Sequence, residues 1–587
     1  MNIQERKMHD ENIVKNILIN RGITDINKFL EPDSSDDSLL EDFTNLEDAA
    51  KQLVFYLSQN SLISVVVDPD ADGYTSSAIL IQVMNDIIDK YKLNSKVVYY
   101  MQSGKHHGLT DDIMDKIAKD EPDLVLLPDS SSNDFDALLT LSTSNYNVII
   151  IDHHELENES YIDLIPNVTL VNNQREEDSK KVSTWLTGAG MVYKFCQSVY
   201  SLLNSSDEKL KPLEDYLDLV AIGQIGDASD ISENEIRNLV FKGLNNIKTP
   251  FVKSVLKSKS IEDKDLAPQD MSFSIIPMIN SVTRIGTDEN KKDIFDAMIR
   301  TEENDETLIV SKRKLNKETR KYENIDFFML YTENEADKAA KVKTKQDSIV
   351  KKEMAKLDEK TDLSQGILIY YAEQIENGSI TGLVATKLSR KYERPCLVLL
   401  KTSDGWSGSA RGIESVLDSF KDWCEDSGVF EFARGHANAF GVYIKDSNIS
   451  KLEKLSREFD KKPSTDYLVD KKYVNEVNKK DIDLLISFKS IIGGKVEPPL
   501  LGFEDLKVNK KNIYVKGQTL EFKVGGVSFV MWGCSDKIIS SLEVGFTDVL
   551  NVSLVGEPFS TNWGGVKKNK VIIKDISFDD AEDDFLF

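Results

Sequence analysis

Five short apolar runs constrain the first half of this 587-residue chain more than any other feature. They read LISVVVDPDAD, KVVYYMQSGKHHG, LVLLPDSSSND, NVIIIDHHE and VTLVNNQ; each ends abruptly in polar residues, and helix-length amphipathic segments separate them. Apolar strands alternating with helices predict βαβ units and an α/β fold with a parallel sheet covered on both faces. In such sheets ligands bind outside the carboxyl ends of the strands, which is where these polar residues fall.

Three carboxylates, Asp68, Asp70 and Asp72, stand within five residues at the end of the first run. Like charges so close repel and raise one another's pKa values unless something positive sits among them, and a divalent cation is the simplest candidate. DPDADG alone also fits a turn or a calcium-loop fragment, although it lacks the later bidentate Glu of an EF-hand. The histidines add to it: four of the six occur as two pairs, His106 with His107 and His153 with His154, each just after an apolar run. Asp152 precedes the second pair, Asp129 ends LVLLPD, and Asp227 ends AIGQIGD. Carboxylates with a few imidazoles and no thiolates suit Mn²⁺ or Mg²⁺. Two such ions about 4 Å apart can clamp the attacking and leaving oxygens of a phosphodiester.

Charge creates a tension with that reading. The formal net charge is −26, which excludes a protein that binds nucleic acid through its whole surface. Either the substrate is no polyanion, or the binding groove is local and metal-assisted. Cys196, Cys396, Cys424 and Cys534 form no CxxC pair and read as plain buried thiols. With no run of eighteen apolar residues and a polar N-terminus, the expectation is a cytoplasmic protein without a membrane segment.

The length suggests roughly three or four domains. A helical segment over 1–60 leads into the α/β part, 61–303; Lys-, Glu- and Ala-rich residues over 304–362 suggest long connecting helices. A second α/β segment covers 363–462, with ILIYYA, CLVLL and FGVYI as strands. Over 463–577 short alternating segments broken by glycine suggest a small β-barrel or sandwich, an OB-fold among the candidates. Trp532, Trp563 and Phe529 with Lys507, Lys510, Lys511 and Lys516 make there the aromatic and basic mixture that stacks and tracks single strands, or else a barrel core. An acidic tail, 578–587, ends in Phe-Leu-Phe.

These motifs together resemble the DHH phosphoesterase superfamily, and within it the RecJ single-strand exonucleases. DxDxDG followed by Thr is matched by Asp68, Asp70, Asp72, Gly73 and Thr75, and the DHH triplet by Asp152, His153 and His154. The lone aspartates of the second and fourth motifs correspond to Asp129 and Asp227, and GKHHGLT resembles the family's GYGL loop with His107 in place of Tyr. IIPMINSVTRIG resembles APRINAAGRLG, retaining Pro277, Asn280 and Arg284. In the second α/β segment, similar to the DHH-associated (DHHA1) domain, Gly378 and Gly382 match GVIGIVA with one extra residue between them. There too GSAR is matched at 408–411, and GGHAxAAG is met by Gly435, His436, Ala437, Ala439 and Gly441 with Arg434 and Phe440 as departures.

The resemblance implies a fold of parallel-sheet DHH domain, connecting helices, DHHA1-like domain and OB-fold-like domain. It implies two divalent cations, Mn²⁺ or Mg²⁺, ligated by Asp70, Asp72, Asp129, His153 and Asp227, with Asp129 as the bridge. Asp68, as a ligand or an orienting partner, Asp152 and His154 complete the catalytic set, His154 contacting the scissile phosphate or metal-bound water. Arg411, Ser409, His436, Gly435 and Gly378 would hold the phosphate or terminal nucleotide, with Asn280, Arg284 and His107 along the strand. The implied activity is hydrolysis of single-stranded DNA to mononucleotides, 5′ to 3′, in recombination, repair or replication. A phosphodiesterase on short oligonucleotides or cyclic dinucleotides and a catalytically inactive replication scaffold stand as alternatives. The tail resembles the acidic, hydrophobic-tipped tails of bacterial single-strand-binding proteins, which implies docking to a replication or repair protein.

Overall fold

The computed structural model describes residues 1–104, 106–203, 210–264, 266–315, 320, 322–372, 375, 378–462, 465–493, 496–534, 536–542, 548–563 and 566–580. They form two compact units, Met1–Gly22 with Thr344–Phe488 and Pro498–Phe587, and Ile23–Lys343 with Lys489–Glu497. Among the described residues no helix is long and apolar enough to cross a membrane.

The chain begins with a strand, β1 (Asn2–Glu5), and then enters the second of these units, built on β2 (Leu62–Val67), β3 (Lys96–Met101), β4 (Leu124–Pro128), β5 (Asn147–Asp152) and β6 (Val168–Asn172). These are the five apolar runs, all parallel, in the order β3-β2-β4-β5-β6. Alternate residues of β2 serve opposite cores. Val65 and Val67 pack with Tyr74, Leu53 and Phe195 on one face, and Val66 packs with Ile113, Ile117 and Leu138 on the other. That two-sided burial is why the strands read as unbroken apolar runs, each fully buried side chain contributing roughly 1.5–3 kcal/mol.

Two segments depart from the sequence expectation. The described residues of 304–330 form no helix but a hairpin, β7 (Thr307–Leu315) and β8 (Tyr322–Leu330), and only then does a 28-residue helix, Tyr331–Asp358, begin. The β-branched and aromatic content of TLIV and NIDFF outweighs the Lys and Glu around it. Nor is 1–60 one helical segment. β1 pairs in parallel with β14 (Asp466–Val469), Ile3 is buried against Val469 and Val555, and residues 1–22 belong with the C-terminal unit. Arg21, closing the helix Ile13–Asn20, donates from both terminal nitrogens to the buried Asp470 at 2.8 Å each.

That unit holds a five-stranded mixed sheet of β9 (Leu368–Ala372), β10 (Cys396–Lys401), β11 (Gly405–Arg411), β12 (Phe432–His436) and β13 (Ala439–Lys445), ordered β12-β13-β11-β10-β9. It also holds a seven-stranded sheet of β15 (Lys471–Val474), β16 (Leu501–Asn509), β17 (Tyr514–Lys516), β18 (Thr519–Val524), β19 (Val527–Trp532), β20 (Val549–Trp563) and β21 (Val566–Asp580), ordered β15-β16-β20-β21-β19-β18-β17. Among the described residues β15 and β17 do not pair with each other, so the β-rich sheet stays open.

Candidate metal centre

The carboxyl ends of β2, β4 and β5 converge on one group of acids and imidazoles. Directly after β2, Asp70 caps the helix Ala71–Tyr91, accepting from Asp72 N and Gly73 N at 3.0 Å each. The helix starts so tightly under the strand that a Cβ on Gly73 would lie 2.5 Å from both Cβ and the carbonyl oxygen of Asp68. Asp72 accepts from Thr187 Oγ1 at 2.8 Å, Gly188 N at 2.6 Å and Ala189 N at 3.0 Å. Those last two are the unpaired N–H groups at the start of the helix Gly188–Leu202, a position that favours a negative charge.

Asp129 follows β4 in a left-handed conformation, φ +63°, with only 2% of its surface exposed. His153, just past β5, places Nε2 3.1 Å from Asp129 Oδ1 and 3.7 Å from Oδ2 of both Asp72 and Asp227. Asp227 comes to this point from the C-terminal end of the helix Leu217–Gly226. Glycines give the carboxylates room: a Cβ on Gly188 would sit 2.5 Å from Asp129 Oδ1, and one on Gly223 2.3 Å from Asp72 Oδ1.

Electrostatically the carboxylates crowd one another. Burial, and then Asp72, Asp70, Asp68 and Asp152, push the Asp129 carboxyl well above the usual range. Burial pushes Asp227 up to about 6 against the pull of His153. Asp129 Oδ1 is buried and accepts no hydrogen bond. A buried acceptor left without a donor costs free energy, so this oxygen, beside an imidazole nitrogen and two further carboxylates, fits a hard divalent cation. Ligand atoms of Asp129, Asp152, His153 and His154 lie within 4.8 Å of one another, and so do those of Asp68, Asp70 and His107. The oxygen-rich, thiolate-free donors suit Mn²⁺ or Mg²⁺.

Asp152 orients the second imidazole. Its Oδ1 lies 2.8 Å from His154 Nδ1 and accepts His153 N at 2.8 Å; its Oδ2 accepts Ser132 N at 3.3 Å. Burial alone would raise Asp152, but the two imidazoles and Ser132 override it and hold the carboxyl below the usual range. The same pairing, Asp152 first, pushes His154 up to about 10. Asn172 fixes the turn by donating to His154 O at 3.0 Å and Ser132 Oγ at 3.1 Å. Asp68 is 2% exposed, lies 2.6 Å from His107 Nδ1, and accepts Gly108 N at 3.3 Å.

The helix Ile275–Ile285 carries Asn280 and Arg284 and packs on the helices Ala71–Tyr91 and Leu217–Gly226. Burial lowers the Arg284 pKa while Asp70 raises it, and Asn280 Oδ1 is buried without a hydrogen bond.

The remaining expected residues lie in the other unit and form a group of their own. Arg411 pairs across β11–β13 with Ala439, which pairs with His436; Ser409 pairs with Gly441, which pairs with Arg434. Alternation therefore puts Arg411, Ser409, His436 and Arg434 on one face of that sheet. Arg411 Nε donates to Thr386 Oγ1 at 3.1 Å, and Ser409 Oγ lies 2.8 Å from Thr381 Oγ1. A Cβ on Gly382 would stand 2.6 Å from an Arg411 terminal nitrogen. Gly435 needs its φ of +132°, and Gly378 opens the turn before the helix Thr381–Tyr392. Phe529 is not available to a ligand: it is fully buried, stacked on Phe522 at 5.3 Å. Trp532 is 53% exposed. The Trp563 side chain and residues 581–587 of the tail lie outside the described residues.

Sequence reasoning missed Thr187, Gly188 and Ala189, which hold Asp72, and Ser132 and Asn172, which hold the Asp152 and His154 turn. The signal for the first set is Thr187 followed by Gly-Ala-Gly, small residues that open the helix Gly188–Leu202. Arg434, noted as a departure from a small residue, adds a cation to the Arg411 face.

Residues 62–224 match the model of the DHH family, N-terminal domain. The chain is 31% identical over 581 residues to the putative SPbeta prophage-derived single-strand DNA-specific exonuclease YorK of Bacillus subtilis, covering 95% of both. It is 22% identical to the single-stranded-DNA-specific exonuclease RecJ of Salmonella typhimurium over 71% of this chain and 69% of that one. In fold it resembles Thermus thermophilus RecJ in complex with Mn²⁺, with a TM-score of 0.69 at 17% identity, covering 99% of this chain and 80% of the other. By its 31% identity to YorK over 95% of both chains, the chain belongs to the RecJ-like single-strand DNA exonucleases of the DHH superfamily.

Proposed function

We propose that this exonuclease degrades single-stranded DNA from the 5′ end to mononucleotides in recombination, repair or replication. Residues 61–303 act as the phosphoesterase domain, 363–462 as the nucleotide-holding domain, and 463–577 as an OB-fold-like strand binder. Asp70, Asp72, Asp129, His153 and Asp227 hold two divalent cations, which when bound supply Lewis-acid stabilisation to the attacking and leaving oxygens. The observation that carries this reading is the buried, unbonded Oδ1 of Asp129, 3.1 Å from His153 Nε2.

Each remaining residue has a separable task. Asp152 fixes the His154 ring and keeps it protonated, so that His154 donates to a non-bridging phosphate oxygen as charge builds there. Asp68, held by His107 and Gly108 N, positions the start of the helix that carries Asp70 and Asp72. Arg284 and Asn280 hold a phosphate along the strand. Arg411, with Ser409, Gly435, His436 and Gly378, grips the terminal nucleotide; a planar guanidinium suits paired phosphate oxygens. Cations placed at particular residues answer the charge tension, because a chain of negative net charge can still bind a polyanion where positive charge is local.

The test uses single strands labelled separately at each end, with Mn²⁺, Mg²⁺ or EDTA, and the Asp129→Ala variant as control. Metal-dependent release of a labelled mononucleotide from the 5′ end by the wild type alone is the expected result. Cleavage of dinucleotides while long strands survive would overturn it in favour of a short-substrate phosphodiesterase. Release from the 3′ end would reverse the polarity.

A further inference from the structure

The hairpin β7–β8 turns one face to the protein and leaves the other bare. Leu308, Val310, Phe327 and Met329 are half-buried, whereas on the opposite face Ile309 is 67% exposed, Phe328 76%, Tyr322 62% and Leu330 39%. Pairing aligns these in two cross-strand rows, Ile309 opposite Phe328 and Arg313 opposite Asn324. The guanidinium of Arg313 lies 5.3 Å from the centroid of the Tyr322 ring. The acid on this face, Asp326, is held by Ser311 Oγ. A lone two-stranded ribbon gains little stability by itself, and exposed apolar patches of this kind mark interaction sites.

Exposed rings beside a guanidinium identify the occupant. Between Thr307 and Leu330 the sequence carries six Lys or Arg against three Asp or Glu, a local excess of positive charge in a chain of net charge −26. Exposed rings with a guanidinium beside them, as Tyr322 and Arg313 stand here, form a platform for stacked bases and a contact for phosphates.

The platform is firmly seated and connected to the metal centre within the same unit. Tyr331 N donates to Glu306 O at 2.9 Å, the Arg300 guanidinium lies 4.0 Å over the Tyr331 ring, and Lys312 pairs with Asp337. Tyr331 Oη donates to Asp293 O at 3.4 Å, on the helix Asp288–Ile299. Lys291 of that helix donates to Gly104 O at 2.7 Å, at the loop whose His107 touches Asp68.

We propose that the outer face of this hairpin, centred on Ile309, Arg313, Tyr322 and Phe328, is an accessory binding surface for single-stranded DNA. It engages nucleotides beyond those at the metal centre and keeps a long strand attached between cleavage events. This deepens the nuclease reading and rests on it.

The test separates the two. Full-length wild type, Tyr322→Ala/Phe328→Ala and Arg313→Ala are compared in two assays: affinity for a long oligothymidylate measured in EDTA at several salt concentrations, and hydrolysis of an oligonucleotide of a few residues with Mn²⁺. The double variant should bind the long strand weaker by on the order of tenfold or more, and Arg313→Ala should flatten the salt dependence. Hydrolysis of the short oligonucleotide should be unchanged in both, which also shows that the variants fold. Unaltered long-strand affinity in all variants would overturn the surface while the nuclease stands. Weakened binding in the variants with no hydrolysis even by wild type would keep the surface and overturn the nuclease. Unaltered strand binding with altered self-association in sedimentation would assign the face to a second copy instead.

Discussion

Oδ1 of Asp129 and Nε2 of His153 face each other across 3.1 Å, and the carboxylate oxygen accepts no hydrogen bond at all. Residues from the ends of two neighbouring parallel strands thus meet at one point, with Asp72 and Asp227 oxygens each 3.7 Å from the same nitrogen. Crowded carboxylates of this kind gain stability when a cation enters, which should reveal itself thermodynamically.

Asp129→Asn removes one crowded negative charge while keeping the shape. In EDTA the variant should be at least as stable as the wild type to urea. Added Mn²⁺ should stabilise the wild type through mass action, by about 2.7 kcal/mol at a hundredfold excess over Kd, and the variant far less. Denaturation curves with and without Mn²⁺ check this, and equal stabilisation of both proteins would remove Asp129 from the ligand set.

Gly188→Ala tests whether the acids are held by shape. Its Cβ would meet Asp129 Oδ1 and Cβ at 2.5 Å, at the helix start whose N–H groups hold Asp72. A displaced Asp129 should cost about 10–100-fold in Mn²⁺ affinity, the range seen when supporting residues of metal sites are changed. Calorimetric titration with Mn²⁺ reads the change directly.

His154→Gln addresses the imidazole that Asp152 keeps protonated. A neutral amide cannot supply the charge that an imidazolium gives to a phosphate, so kcat should fall about 10²–10³-fold. Mn²⁺ affinity should stay within a few-fold of wild type. A matching loss in both would make His154 a ligand rather than a phosphate contact.

The parts of this structure that sequence displayed are those in which each residue answers to one local rule. β2 shows both of its buried faces as a run of valines, and Asp68, Asp70, Asp72, Asp129, Asp152 and His153 follow such runs directly, so fold and site were legible together. Residues whose reason lies across the fold were hidden. Gly188 is a glycine because Asp129, 59 positions earlier, occupies the space its Cβ would take. Ile3 belongs to a core completed by Val469 and Val555, which no window along the chain can show. Phe529 and Trp532 sit three residues apart, yet one is buried and the other 53% exposed, because Phe529 lies mid-strand in a segment buried on both faces and Trp532 ends the strand. The hairpin over 307–330 was hidden by composition, its Lys and Glu content imitating a helix.

Asp218 gives a last prediction, away from the metal centre. This fully buried acid on the helix Leu217–Gly226 accepts Leu219 N at 2.8 Å and Thr249 Oγ1 at 3.1 Å on Oδ1, and Lys248 N at 2.9 Å and Thr249 N at 2.7 Å on Oδ2. It thereby serves the start of the helix Pro250–Ser258 from another helix. Asn keeps the shape but must turn an NH₂ toward two donors whichever way the amide is set, so Asn should not rescue what Ala loses. Both substitutions should destabilise the protein by about 2–4 kcal/mol, the cost of leaving buried donors unpaired. Mn²⁺ affinity should be unchanged in the folded variants, since Asp227 lies at the other end of that helix. Urea denaturation combined with Mn²⁺ titration separates the two effects, and a stable Asp218→Asn variant would mean that these donors find other partners.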